Sequence, residues 1–204
     1  MPIPVVYRKT APTISTYNWA ELSTGVGYIN FYCADGIDET SGATHILTTS
    51  NAIPSFPRGH EETASGTVMD EEFTTTFNKP TVLKGDMYVK IPFYKTDSGA
   101  GDKMQFIITV KKNDETLQTL NYTDADPQYP NEATNFMGVL DIPKTILTQG
   151  DTLKVNIKVV WTEGGTSGWI VVKHDPSNEA YLYGGVTVSG ANQMIVSLPT
   201  KIIK

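Results

Sequence analysis

The residue types with the widest catalytic range in this chain are three histidines and one cysteine. His45, His60 and His174 lie 15 and 114 positions apart and show no H-E-x-x-H spacing, so none of them forms a zinc-binding pair on one helix face. Cys33 ends an apolar run that begins at Tyr28, which predicts a small buried hydrophobe and not a reactive thiol. We therefore expect no catalytic residue, no metal ion and no cofactor, and a zinc site assembled from distant strands is the open alternative.

Nucleophilic hydrolysis requires a serine or cysteine beside a base that a third group orients. On an α/β scaffold the serine would lie in a G-x-S-x-G elbow between a strand and a helix. Neither that pattern nor a phosphate-binding G-x-x-x-x-G-K-[ST] loop occurs in the sequence. The absence of these motifs from the sequence leads to the prediction that the protein is not an enzyme.

Two acidic segments offer the oxygen ligands that calcium prefers. One contains Asp35, Asp38 and Glu39, and the other contains Asp124, Asp126 and Glu132. Neither matches the twelve-residue EF-hand loop, because the glycine of the sharp turn is missing and Pro127 interrupts the second segment. We interpret these carboxylates as solvated turn residues, and His174-Asp175-Pro176 as a capped turn at the end of a strand.

Aromatic residues late in the chain raise the alternative of sugar binding, since exposed indole and phenol rings can stack on pyranose rings. Trp161 shares an alternating face with Ile157 and Val159, so it is expected in the core. The possible glycan platform therefore consists of Trp169, Tyr181 and Tyr183.

The composition favours pleated sheet. Thr, Val and Ile account for 59 of the 204 residues, and β-branched side chains fit strands better than helices. The formal charge of -6 disfavours a phosphate-binding surface, so nucleic acid is not an expected partner. No apolar run reaches the ~20 residues of a membrane-spanning helix, and the first residues do not resemble a secretory signal. We expect synthesis in the cytoplasm and no membrane partner.

Alternating apolar residues predict about ten strands after a capping-box helix near Asn18–Glu21. The clearest alternation places Leu153, Val155, Ile157, Val159 and Trp161 on one face. Ten amphipathic strands can bury their apolar faces between two stacked sheets. The predicted fold is all-β, a two-sheet antiparallel β-sandwich of the jelly-roll or Greek-key type, in a single domain at 16–204. A helical turn beginning at Pro143 is expected to carry the chain between the sheets.

Residues 1–15 are predicted to form an extended arm, because prolines fix φ and remove hydrogen-bond donors. The arm is interpreted either as a frayed terminus or as a basic contact for an acidic neighbouring copy. Proline-rich stretches at 51–65 and 124–133 are predicted to be exposed contact loops. The candidate contact residues are Pro2, Pro4, Val5, Tyr7, Arg8, Lys9 and Pro12 in the arm, and Pro54, Phe56, Arg58, Pro127 and Tyr129 in the loops.

Four short motifs in this order carry a resemblance to a known group of proteins. They are Tyr17-Asn18-Trp19 with the run 27–32, Phe77-Asn78-Lys79-Pro80 with Leu83-Lys84-Gly85, Asp141-Ile142-Pro143-Lys144 leading to Gly150-Asp151-Thr152-Leu153, and His174-Asp175-Pro176. The set resembles uncharacterised β-sandwich virion proteins of tailed viruses and prophages.

The resemblance implies a non-enzymatic structural protein of a bacteriophage virion, a capsid decoration or minor capsid subunit. Its partners would be other virion proteins and further copies of itself, and we expect a homotrimer. The alternative is a carbohydrate- or receptor-binding module of a tail fibre or spike.

Overall fold

The computed structural model of the chain describes residues 26–35, 45–52, 59–95, 103–125, 133–163, 170–177, 181–183, 186–188 and 193–201. Within these ranges the fold is all-β and consists of strands joined by turns, as the composition predicts. No helix in these ranges has the length and apolar character that crossing a bilayer requires. The described strands are β1 (Val26–Asp35), β2 (His45–Thr48), β3 (Gly59–Glu62), β4 (Gly66–Thr76), β5 (Thr81–Lys95), β6 (Lys103–Lys112), β7 (Glu115–Ala125), β8 (Ala133–Leu147), β9 (Thr152–Glu163), β10 (Ile170–Lys173), β11 (Tyr181–Tyr183), β12 (Val186–Val188) and β13 (Ile195–Lys201).

Eleven of these strands form one large sheet. Ten follow the order β3-β10-β5-β13-β1-β2-β4-β9-β6-β7, and β8 pairs with β5 outside that order. Neighbours are antiparallel except β2 and β4, which are joined in parallel at Ile46 and Thr74. β11 and β12 form a separate antiparallel pair.

In the described residues, the sheet curls around one apolar core. Phe93 of β5 and Phe106 of β6 are on strands that are not hydrogen-bonded neighbours, yet their ring centroids are 5.8 Å apart. The alternating face of β9 is buried as predicted, with Trp161 only 1% exposed, and Cys33 is buried too. Each such apolar side chain stabilises the fold by roughly 1.5–3 kcal/mol relative to an exposed position.

β8 passes very close to β6 and β7 at Gly138. A Cβ atom added there would lie 2.8 Å from Ile108 Cδ1 and 3.0 Å from Leu120 Cδ2. Next to this contact, the rings of Phe106 and Phe136 stack with centroids 4.1 Å apart. Only a residue without a side chain allows this approach.

A polar clamp joins the β6–β7 turn to the β8–β9 turn. Asn113 has φ 53°, and its Oδ1 accepts a hydrogen bond from the backbone N–H of Thr152 at 2.9 Å. Its Nδ2 donates to Asp151 Oδ1 at 3.1 Å. Asp151 Oδ2 accepts from the backbone N–H of Thr148 at 2.7 Å and pairs with Lys112 Nζ at 3.1 Å. The pKa of Asp151 is held well below its usual range, mainly by the hydrogen bond from the Thr148 N–H. The hydrogen bonds from Asn113 and Lys112 lower it further.

Two predictions of local structure are wrong. Pro143 does not start a helical turn, because β8 continues through it to Leu147 and a register shift between Ile142 and Thr145 accommodates the missing donor. The stretch 51–65 is not a continuous loop either, since it contains β3. β3 escaped prediction because GHEE has no apolar alternation, and its last two residues are exposed.

Several predicted features lie outside the described residues. These are the arm at 1–15, the helix near Asn18–Glu21, the contact residues Pro54, Phe56, Arg58, Pro127 and Tyr129, and Trp169. Tyr181 and Tyr183 belong to β11, but their side chains also lie outside the description. The arm, contact-loop and glycan hypotheses therefore stay predictions.

Candidate functional site

The hairpin of β1 and β2 brings the first two residues of the site together. Asp35 ends β1 and His45 begins β2, and the antiparallel register places them directly opposite each other. His45 Nδ1 donates a hydrogen bond to Asp35 Oδ1 at 2.6 Å. Cross-strand neighbours of this kind are within side-chain reach, so the hairpin alone sets this contact.

Glu71 reaches the same place from β4, the parallel neighbour of β2. His45 Nε2 lies 2.5 Å from Glu71 Oε2, so both ring nitrogens of His45 contact carboxylates. The hydrogen bond to Asp35 raises the pKa of His45, and the negative charges of Asp35 and Glu71 add to the rise against partial burial. The two carboxylates therefore favour the protonated form of His45, and a histidine placed between two carboxylates is not the arrangement that activates a serine hydroxyl.

His60 of β3 and His174, which directly follows β10, complete the group from one end of the described strand order. β3 and β10 are antiparallel neighbours, and the ring centroids of the two histidines are 5.1 Å apart. His174 Nε2 lies 3.8 Å from Asp35 Oδ2, and His60 Nε2 lies 3.9 Å from Glu71 Oε1. We call Asp35, His45, His60, Glu71 and His174 the His–carboxylate cluster.

The cluster is buried at one side and reaches solvent at the other. Asp35 and His174 are fully buried, while the side chains of His45, His60 and Glu71 are 17%, 23% and 24% exposed. Burial lowers the pKa of His174 to about 4, and the Asp35 carboxylate opposes this shift only in part. At neutral pH this ring is therefore neutral, the form in which imidazole binds metal ions.

Phe73 of β4 supports the two histidines that flank Asp35. Its ring centroid lies 5.6 Å from that of His45 and 5.8 Å from that of His174. Phe73 is itself fully buried in the core. The imidazole rings are therefore held by packing as well as by hydrogen bonds.

Three members of the cluster have the arrangement of a metal-ligand set. Asp35, His60 and His174 each offer one ligand atom, and these atoms all lie within 4.8 Å of one another. Two imidazole nitrogens and one carboxylate oxygen suit zinc and iron(II). This is the one such group found among the described residues.

Residues that are far apart in the sequence lie close together in the structure. All three histidines of the chain belong to the cluster. Asp35 was expected to be a solvated turn acid, which is wrong because it is fully buried against His45. The turn at Asp175 is confirmed, since its carboxylate accepts the Ser177 N–H at 3.1 Å, but His174 faces the cluster.

Three solved structures with a similar fold are named as hydrolytic enzymes. A CocE/NonD family hydrolase from Staphylococcus aureus matches with a TM-score of 0.51 and 16% identity, over 86% of this chain and 37% of its own. An aminopeptidase from a marine sediment archaeon, Thaumarchaeota archaeon, matches with a TM-score of 0.52 and 7% identity over the same shares. An α-amino acid ester hydrolase matches with a TM-score of 0.50 and 10% identity, over 84% of this chain and 36% of its own. This chain thus spans little more than a third of each neighbour, and identities this low show likeness of fold alone.

No protein-family model matches the chain, and no curated protein matches its sequence. The capsid protein VP2 of infectious bursal disease virus matches only with a TM-score of 0.30, which supports no argument.

The comparisons correct the functional prediction. A non-enzymatic virion subunit, or a binding module of a tail fibre, is contradicted because the neighbours at TM-scores of 0.50 to 0.52 are hydrolases. The prediction that the chain is not an enzyme is contradicted by the same finding. Alternation of apolar residues does not distinguish these two classes of protein, because a β-domain of an enzyme and a capsid subunit bury their apolar faces in the same way. The predicted homotrimer is not tested by the fold and stays a prediction.

Proposed function

We propose that this chain is a hydrolase whose His–carboxylate cluster activates the attacking water. One observation carries the proposal: the only three histidines of the chain converge on two carboxylates at a partly exposed site. Buried carboxylates and histidines in contact are the groups that general acid–base catalysis uses. The fold shared with three hydrolases supports the same reaction class.

Glu71 is the proposed base. Its Oε2 contacts His45, and its Oε1 lies 3.9 Å from His60 Nε2 on the partly exposed side of the cluster. A water molecule beside Oε1 would transfer one proton to Glu71 while its oxygen bonds to the acyl carbon. The bond to the leaving oxygen or nitrogen then breaks, and that atom receives the proton from Glu71. The products are a carboxylic acid and an alcohol or amine.

Esters and amides formed by the carboxyl group of α-amino acids are the proposed substrates. Two of the neighbours are described as an aminopeptidase and an α-amino acid ester hydrolase, so both act on this class of compound. The first assay therefore uses p-nitrophenyl esters and p-nitroanilides of amino acids.

The decisive comparison uses two adjacent glutamates of β4. Glu71→Gln is expected to lower kcat by about 10²- to 10⁴-fold, the usual contribution of a positioned proton-transfer group. Glu72→Gln is the matched control, because Glu72 lies on the other face of β4 and pairs with Lys111 at 2.7 Å. Equal activities of the two variants, or an inactive wild-type chain, would count against the proposal.

We also infer that the curled sheet is a two-layer jelly-roll sandwich. The contact of Phe93 with Phe106 supports two facing layers. The connection from β8, which pairs with β5, to β9, which pairs with β4 and β6, supports a crossover between them. A crystal structure with an open single layer would contradict this topology.

A second candidate function is that of a β-domain that packs against the rest of a larger hydrolase. The chain spans 36% to 37% of the three neighbours, and β8 exposes Met137, Val139 and Ile146 to about half of their area. Exposed apolar patches commonly mark an interface. A folded chain without hydrolytic activity, whose binding of a hydrophobic dye falls in Met137→Ser, would favour this function over the first.

A further inference from the structure

We propose that Asp35, His60 and His174 together bind one divalent transition-metal ion. This inference deepens the proposed function. Binding of the metal ion is argued from the geometry alone, and only its use in catalysis rests on the proposed function. The three residues come from the end of β1, from β3 and from the position after β10. Their ligand atoms lie within 4.8 Å of one another, and His174 Nε2 is 3.8 Å from Asp35 Oδ2. Metal–ligand bonds of about 2.0–2.2 Å in a tetrahedral site separate ligand atoms by about 3.4 Å, so small inward movements would close the set.

The polarity of the converging atoms favours a cation. His60 Nε2 is buried and makes no hydrogen bond to any described residue. It faces Glu71 Oε1 at 3.9 Å, beyond hydrogen-bond distance. Buried polar atoms are normally satisfied, and a metal ion bound to this nitrogen would satisfy it.

The donor set selects the class of metal. Two imidazoles and one carboxylate bind zinc, iron(II) or cobalt(II) well, whereas calcium and magnesium prefer sites built from oxygen atoms. Zinc is the first candidate, because three protein ligands of this kind would leave its fourth position to water, and the charge of the zinc ion would lower the pKa of that water.

The surrounding residues match the outer layer of a metal site. His45 donates Nδ1–H to Asp35 Oδ1, which orients the carboxylate and directs Oδ2 towards His174. Phe73 packs against the rings of His45 and His174. Such outer contacts fix the orientation of the ligands and exclude competing geometries.

Glu71 is placed to act on water at the remaining position. It is not one of the three proposed ligands, and it is 24% exposed on the side where solvent enters. Its Oε1 is close to the ligand atom of His60. Glu71 would therefore accept the proton that the metal makes more acidic.

Metal titration tests the site without any substrate. Zinc and cobalt(II) are titrated into chelator-treated protein, and binding is followed by calorimetry and by the visible spectrum of cobalt. We expect one ion per chain and the intense bands of a four-coordinate cobalt site. His60→Ala and His60→Gln should both weaken binding by more than about 100-fold, and His45→Gln by about 10- to 100-fold as an outer-shell change. Glu72→Gln should bind like the wild type.

His60 is the residue to vary because it lies on a short strand and is 23% exposed, so its loss should leave the fold intact. Circular dichroism of each variant checks this, and His60→Gln preserves most of the side-chain volume if the alanine variant unfolds. Absence of saturable binding, or binding that survives both His60 variants, overturns the site.

The two proposals fail separately. One-to-one zinc binding without hydrolysis leaves the metal site standing and rejects the proposed function. Hydrolysis that persists in excess chelator and in His60→Ala supports the proposed function and overturns the catalytic use of the metal, while the titration alone decides whether the ion binds.

Discussion

His60 and His174 hold their ring centroids 5.1 Å apart although 114 positions separate them in the chain. The pairing of β3 with β10 places Val172 opposite His60, so the two histidines are diagonal neighbours on one face of the strand pair. Asp35 and His45 join them through a different hairpin. The candidate site therefore exists only when two distant parts of the strand order have formed.

The first prediction concerns the buried histidine. His174→Ala should lower the free energy of unfolding by about 3 kcal/mol, because it removes a fully buried ring that packs against Phe73 and His60. Urea unfolding in the presence of a chelator measures this without a contribution from metal. His60→Ala should cost no more than about 1 kcal/mol, since that ring is partly exposed. Equal losses in the two variants would contradict the burial difference.

A second prediction uses the close approach at Gly138. Gly138→Ala should destabilise the protein by about 1–3 kcal/mol, because the new methyl group would collide with Ile108 Cδ1. Ile108→Val removes that atom, so the same glycine change should cost at least about 0.5 kcal/mol less in the valine background. A double-mutant cycle of unfolding free energies measures the coupling. Additive effects would show that Ile108 is not the obstacle.

The third prediction separates backbone strain from hydrogen bonding at Asn113. Asn113→Gly loses the bonds to Thr152 and Asp151 but tolerates φ 53°. Asn113→Ala loses the same bonds and adds about 1–2 kcal/mol for the left-handed conformation. Thermal and urea unfolding should therefore rank the wild type above the glycine variant and the glycine variant above the alanine variant. The reverse order of the two variants would rule out a role for strain.

A fourth prediction concerns acid. The hydrogen bonds from Thr148, Asn113 and Lys112 lower the pKa of Asp151 from its ordinary 3.8, so the ionised form is favoured in the native state. Its contribution to stability is fully present above pH 3.8 and is lost as the pH falls towards the native pKa, because the unfolded chain takes up the proton first. Asp151→Asn should therefore be less stable than the wild type at pH 7. The gap should narrow between pH 4 and pH 2 in urea unfolding, and a gap that stays constant would contradict the assignment.

The sequence predicts the fold class well, because strand alternation is a local signal. Leu153, Val155, Ile157, Val159 and Trp161 face the core as their spacing requires. Pro143 failed as a predictor because a bulge can accept proline within a strand. β3 is not predicted, because a short polar strand at the end of the described sheet carries no periodic signal.

Only part of the candidate site can be predicted from the sequence. Asp35 and His45 flank a predicted turn, so pairing of the strands on either side would have placed them opposite each other. His60 and His174 could not be added, because their contact depends on which distant strands become neighbours. Strand order is a global property, and the turn chemistry of a single sequence does not determine it.

The short strand that carries His60 also carries negative charge that opposes edge-to-edge pairing with a second copy. Among the described strands, β3 ends the hydrogen-bonded order, and its Glu61 and Glu62 are exposed. Like charges on an outermost strand oppose alignment with the same strand of a second copy, which would otherwise propagate into insoluble fibres. The same four residues thus place a histidine of the candidate site and carry two exposed negative charges, so a hydrophobic replacement of the two glutamates is expected to increase self-association.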